Sequence, residues 1–428
     1  LNPILYSIYH FLKGVTLLAF RIYYPKTTKL NIERLKFKRP SILVSNHPNT
    51  LLDPLNAGKE VPMVIHFLAN ASLFQGKFQS WFFNTFYCIP IERPQDTKGR
   101  PINNKQAFAR CDKFLGNGGC LYIAPEGGSD MERRLRPIKT GTARIALSAE
   151  QAKDFKLGLI IQPVGLTYDA PNYFDSRLLL NAGEPIVVGD YQSAYEQDPI
   201  GTVRQLTADL ENRMRELLID TRDEQEDRLI KKLETLLRHS APLPEAQHFS
   251  RTQKLITRLR TYEQEQPQQY RTLVEQTERY FPMLKEAKTN DKAVARLPST
   301  LFLCVVGLII GWPFFVYGLV NNLLPVGIVL AITRKLNLYV GYNSSVKILG
   351  GLLFFPLFYL LQSWIVGTGF GTAVALLYLL SLYPMGWLAW KWWKQLQQFL
   401  AAVAARSASD QLKTAREAVW QRLAPLAE

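Results

Sequence analysis

The strongest constraint on this chain lies in its C-terminal third. Leu301 to Val320, Ile348 to Val366 and Phe370 to Trp390 carry no ionised side chain. Each approaches the roughly 20 apolar residues that an α-helix needs to cross a hydrocarbon core, so residues 297–394 are expected to form a transmembrane region. If the first stretch crossed alone, Arg334, Lys335 and Lys347 would lie opposite Lys292 and Arg296, against the tendency of basic loops to share the cytoplasmic side. A turn at Asn321, Asn322 and Pro325 would resolve this. Val326 to Thr333 then returns as a re-entrant hairpin, Lys391 and Lys394 join the other cations, and the Gly367-Thr368-Gly369 turn faces away.

The N-terminal residues 1–24 mix apolar side chains with Tyr6, Tyr9, His10, Lys13, Arg21, Tyr23 and Tyr24, and no small-residue cleavage site follows them. They read as an interfacial helix lying on the membrane, with a buried core helix as the alternative. The basic run Lys26 to Arg39 completes a first segment, residues 1–39, and reads as a solvated face suited to an anionic leaflet. Residues 191–296 place Leu206, Leu210, Met214, Leu217, Leu229, Leu233 and Leu236 at helical spacing among charges. They form a helical region broken by Pro242, Pro244 and Pro267. Residues 395–428 repeat the pattern as C-terminal amphipathic helices.

A formal charge of +15 favours an anionic partner. That partner could be nucleic acid, anionic lipid or a phosphorylated substrate; the apolar third decides for membrane over nucleic acid, and neither a zinc spacing nor a basic-aromatic RNA motif occurs. Cys88, Cys111, Cys120 and Cys304 stand in unlike contexts and read as reduced small residues, none beside an activating group.

Between residues 40 and 190, strand-like runs (41–45, 62–67, 86–91, 119–124, 159–167 and 185–188) alternate with helix-compatible stretches. This argues for an α/β sheet flanked by helices. The run Ile42 to Val44 empties into a polar turn with His47 and, six residues on, Asp53. A carboxylate on one ring nitrogen would make the other a general base, although a His and an Asp at this spacing also occur as a turn residue and a helix cap. A second run, Phe86 to Ile91, delivers Arg93. A third, Gly119 to Ala124, ends in Pro125-Glu126-Gly127-Gly128.

In this order, Asn46-His47 with Asp53, then Arg93, then Pro125-Glu126-Gly127, then Ile160 to Val164 containing Pro163, the blocks resemble those of the glycerolipid acyltransferase family. The resemblance covers about residues 40 to 190. Five residues rather than four separate His47 from Asp53. This is similar to a branch of glycerol-3-phosphate acyltransferases with an Asn in the turn and Asp-Pro at its end. The family's Thr-Arg after Glu-Gly is replaced by Gly128 and Ser129, leaving Arg133, Arg134 or Arg136 as substitutes.

The resemblance implies an α/β catalytic domain over 40–190 on the cytoplasmic face of an integral membrane protein. It implies an acyl thioester donor, as acyl-CoA or acyl-carrier protein, and glycerol-3-phosphate or its 1-acyl product as acceptor, with no metal or other cofactor. His47 and Asp53 would be catalytic, and Arg93, Glu126, Gly127 and Asn46 would bind substrate. Part of an acyl-chain tunnel is implied near Ala69 to Phe74 and Trp81 to Phe83, where a plain core helix fits the residues equally. Rival readings are another lysolipid or amino-lipid acceptor, or a non-catalytic lipid-binding protein of the same fold.

Overall fold

Strands buried on both faces of a sheet carry unbroken apolar runs, and the strands nearest the motifs do so. In the computed structural model, which describes residues 3–93, 101, 103–296, 301–407 and 409–427, β2 (Ser41–Ser45) is buried along its whole length, as is β5 (Cys120–Ile123). They join β1 (Lys26–Leu30), β3 (Ile65–Asn70), β4 (Cys88–Ile91), β6 (Ile160–Tyr168) and β7 (Arg177–Ala182) in the order β1-β7-β6-β2-β5-β3-β4, with β8 (Ile186–Val187) on β6. The strands from β6 to β4 run parallel, while β7 pairs antiparallel with β6.

β1 was not expected as a strand. Its sequence, Lys-Thr-Thr-Lys-Leu, pairs in parallel with β7 at the sheet edge, where lysines keep the open side soluble. The basic run is therefore part of the sheet as well as a charged face. β7 was also absent from the expected strands.

Helices α2 (Leu52–Gly58), α3 (Lys77–Thr85), α4 (Lys105–Gly116), α5 (Gly141–Gln151), α6 (Gln192–Gln197) and α7 (Pro199–Glu216) follow the strands. Leu206, Leu210 and Met214 of α7 share one core with Ile42, Leu121 and Ile161, so α7 packs with the sheet rather than with the helical region that follows it in sequence. At about 1.5–3 kcal/mol per fully buried aliphatic side chain, those three residues alone bind α7 firmly. Helix α1 (Pro3–Tyr23) buries Ala19, Phe20 and Tyr23 and leaves Phe11 and Leu18 exposed. It is long and apolar enough to cross a membrane. In α3, Phe78 and Trp81 are 68% and 59% exposed, so the aromatic stretch is not a core helix.

The chain separates into two compact units, Leu1–Asp220 with Tyr339–Ser345, and Thr221–Leu338 with Val346–Glu428. The second contains α8 (Glu224–Ser240), α9 (Glu245–Glu265), α10 (Pro267–Glu286), α11 (Asp291–Ala295) and α12 (Leu301–Leu336). It continues with α13 (Asn343–Phe370), whose first residues belong to the other unit, α14 (Thr372–Ser407) and α15 (Ser409–Ala427). Helices α12, α13 and α14 are each long and apolar enough to span a bilayer, making this an integral membrane protein.

The re-entrant hairpin does not form, because α12 is one helix through Pro313, Asn321, Asn322 and Pro325. The two asparagine amides donate to the carbonyls of Tyr317 and Gly318, one turn back, so they continue the helix instead of turning it. Their oxygens face other helices: Tyr359 donates to Asn322 at 2.6 Å, and Tyr378 donates to Asn321. Where water is absent, such cross-helix bonds replace the solvation that a polar group has lost.

Candidate active site

The end of β2 is clamped before the chemistry begins. Asn46 donates to Leu166 O at 2.9 Å and accepts from Leu166 N at 2.8 Å, so its amide locks the turn onto β6. Sequence reading made Asn46 a substrate ligand. Both ends of its amide bond backbone, which sets where His47 stands, and the residue also lines the pocket that Arg133 and Arg134 share.

Nδ1 of the His47 ring lies 3.1 Å from Oδ2 of Asp53, as expected from the motif. Asp53 is fully buried, and three donors surround it: the Nδ1 of His47, the Asn49 N–H at 2.5 Å and the Tyr168 hydroxyl at 2.9 Å. Asn56 donates to the Tyr168 oxygen at 3.1 Å, which leaves the Tyr168 proton for Asp53. Burial pushes the Asp53 carboxyl up, and His47, the Asn49 N–H and Tyr168 pull it back towards the ionised form. With both carboxylate oxygens accepting, Nδ1 of His47 carries the proton. Nε2 is then the basic nitrogen, and the side chain is 20% exposed.

Glu126 sits in the turn after β5 and accepts from the His47 N–H at 3.0 Å and the Arg136 N–H at 3.1 Å. Burial raises its carboxyl, opposed by those two N–H groups. It is thus a brace between loops. Gly127 adopts φ 70°, the left-handed region open to glycine, and a Cβ there would meet Nζ of Lys139 at 2.7 Å. Arg93 reaches the same turn, donating to Gly127 O at 3.3 Å.

Of the three substitute arginines, Arg136 pairs with Asp130, whereas Arg133 and Arg134 line a pocket with Asn46, Pro48, Tyr168 and Leu218. Arg134 also pairs with Glu132 at 2.8 Å. Burial pushes the Cys88, Cys111 and Cys120 thiols up to about 11, 12 and 12, as befits inert small residues.

Tyr168, Asn49 and Asn56 escaped sequence reading as site residues. Tyr168 had one available signal, its place at the end of the proline-containing apolar strand, and nothing in the sequence aims it at a carboxylate 115 residues away.

Residues 26–167 match the family model described as Acyltransferase. A 112-residue stretch is 41% identical to glycerol-3-phosphate O-acyltransferase 2 of Saccharomyces cerevisiae, covering 26% of this chain and 15% of that protein. An 87-residue stretch is 32% identical to glycerol-3-phosphate O-acyltransferase 1 of the same yeast, covering 20% and 11%. An 88-residue stretch is 37% identical to an uncharacterized acyltransferase of Schizosaccharomyces pombe, covering 20% and 13%. The matched stretches thus span a small fraction of the length of these curated relatives.

Proposed function

The chain belongs to the glycerolipid acyltransferase family, whose domain it carries over residues 26–167, and from that premise we propose that it acylates a hydroxyl of glycerol-3-phosphate or of its 1-acyl product. The observation that carries this reading is the His47–Asp53 pair, with Nδ1 held by a buried carboxylate and Nε2 left basic. Nε2 takes the proton of the acceptor hydroxyl as its oxygen bonds to the thioester carbonyl carbon. The tetrahedral adduct collapses with cleavage of the carbon–sulfur bond, and the imidazolium returns the proton to the leaving thiolate. No acyl-enzyme is needed.

Arg93, and the pocket-lining Arg133 and Arg134, supply cations for the acceptor phosphate, since a guanidinium binds phosphate through paired hydrogen bonds. Glu126 and Gly127 shape the same pocket, in the turn whose Gly127 carbonyl Arg93 reaches. The donor is an acyl thioester of coenzyme A or of acyl-carrier protein. This reading puts the catalytic unit on the cytoplasmic face, the side that Arg334, Lys335 and Lys347 favour for the residues between them.

Glycerol-3-phosphate is the first acceptor to test, because two of the relatives bear its name. Purified protein in detergent should be assayed with glycerol-3-phosphate and with its 1-acyl product, each against both donors. Transfer to neither acceptor would overturn the reading, while preference for another lysolipid would keep the reaction and change the substrate.

A further inference from the structure

Residues 339–345, the end of the connection after α12 and the first residues of α13, belong to the catalytic unit. Buried Ser344 donates its hydroxyl to Oδ1 of Asn49 at 2.5 Å, and Thr50 donates its own to Gly341 O at 3.0 Å. Asn49 and Thr50 are the buried middle of the turn that joins His47 to Asp53.

Thr50 has φ 42°, a left-handed conformation that is strained for a β-branched residue. Such a conformation persists only where its surroundings over-determine it. Ser129 accepts the Thr50 N–H at 3.2 Å, and the Gly341 carbonyl takes its hydroxyl. A Cβ on Gly341 would come 3.1 Å from Cγ2 of Thr50 and 2.7 Å from the Tyr339 ring, so glycine is what permits the approach. The Asn49 amide is also fully engaged, with Oδ1 taken by Ser344 and Nδ2 donating to the Tyr24 hydroxyl at 2.7 Å. This side chain fixes the residue whose N–H holds Asp53 at 2.5 Å.

We propose that residues 339–345 are a strut for the catalytic turn, with Ser344 and Gly341 as positioning residues. The inference rests on the acyl-transfer reading of His47 and Asp53. Loss of the strut frees Thr50 to leave the left-handed region and moves the Asn49 N–H off Asp53, which loosens the orientation of His47. Gly341 and Ser344 do not line the pocket beside Arg133 and Arg134, so their replacement should spare substrate binding.

The test uses the full chain in detergent. Ser344→Ala should lower kcat about tenfold with the KM of both substrates unchanged, and Ser344→Cys, of similar volume, gives the same readout if the alanine variant does not fold. Independently of activity, the pair Asn49→Cys and Ser344→Cys, at positions whose side chains meet at 2.5 Å, should form a disulfide on oxidation, with each single variant as control. An active protein whose kcat survives Ser344→Ala overturns the strut, and so does failure of the cysteine pair to cross-link. A wild type that transfers no acyl group while the pair cross-links removes the acyl-transfer reading and supports the strut as a brace of this turn.

Discussion

The Tyr168 hydroxyl donates to Oδ1 of Asp53 at 2.9 Å, and this bond fixes which nitrogen of His47 is basic. With Oδ1 accepting from Tyr168 and Oδ2 from the Asn49 N–H, an ionised Asp53 is ringed by donors, and the His47 tautomer with its proton on Nδ1 completes the set. Lys59 donates to Oδ1 of Asn56 at 3.0 Å and so orients the amide that donates to Tyr168. The proton order of the site is therefore set by a chain of neighbours reaching from Lys59 to His47.

Tyr168→Phe should keep the fold and lower kcat roughly tenfold, from about 1.5 kcal/mol lost with one hydrogen bond to a charged group. Burial already raises the Asp53 carboxyl, and removing a donor raises it further. Asp53 then takes up its proton at a higher pH and ceases to hold His47, so the acid limb of the pH–rate profile should move to higher pH. A limb that stays in place would show that Tyr168 only packs.

His47→Ala should reduce transfer by a factor of ~10² to 10⁴, the usual contribution of a positioned general base. The thermal transition should survive, because the ring is partly exposed and its loss leaves Asp53 with two other donors. Asp53→Asn should be impaired no more than His47→Ala, since it orients the base without exchanging the proton. Wild-type activity in His47→Ala would remove the general-base assignment.

How much of this was legible in sequence follows from where the bonding partners lie. β2, β5 and β6 announce themselves because a strand buried on both faces is mostly apolar, and the motif turns at their ends are local in sequence. β1 carries a lysine at each end of a polar centre, and its strand identity comes from a partner, β7, about 150 residues away. Likewise, the clamp of Asn46 on Leu166 is not legible in sequence, because it closes only when β2 and β6 pair. The hairpin expected at Asn321 and Asn322 failed for a related reason. Charge bias in the flanks says nothing of amides that bond within their own helix and to Tyr359 and Tyr378.

Arg93→Ala should raise the KM of the acceptor more than that of the donor, by a factor of about 10 to 100 if ~1.5–3 kcal/mol of charged hydrogen bonding is lost. Arg93 also donates to Gly127 O, so a purely structural role would disturb the turn that Glu126 ties to His47 and would affect both substrates alike. Steady-state kinetics with each substrate varied in turn separate the two.

Asp291 should contribute to acid stability in the second unit. It starts α11, is 2% exposed, and accepts from Tyr280 of α10 at 2.8 Å and Arg416 of α15 at 2.8 Å, with Nδ1 of His239 of α8 2.7 Å away. Burial alone would raise its carboxyl, but the bonds from His239, Arg416 and Tyr280 outweigh it and hold the group below the ordinary carboxylate value. A carboxylate depressed on folding stabilises fully above its unfolded pKa, and that stability is gone once the pH has fallen through the folded value. The melting temperature in detergent should therefore fall on acidification below the ordinary carboxylate range. Asp291→Asn should remove part of that dependence while lowering stability at neutral pH, and Asp291→Ala, which leaves Arg416 buried without its carboxylate, should cost about 3–5 kcal/mol. Equal acid sensitivity in wild type and Asp291→Asn would assign the dependence to other carboxylates.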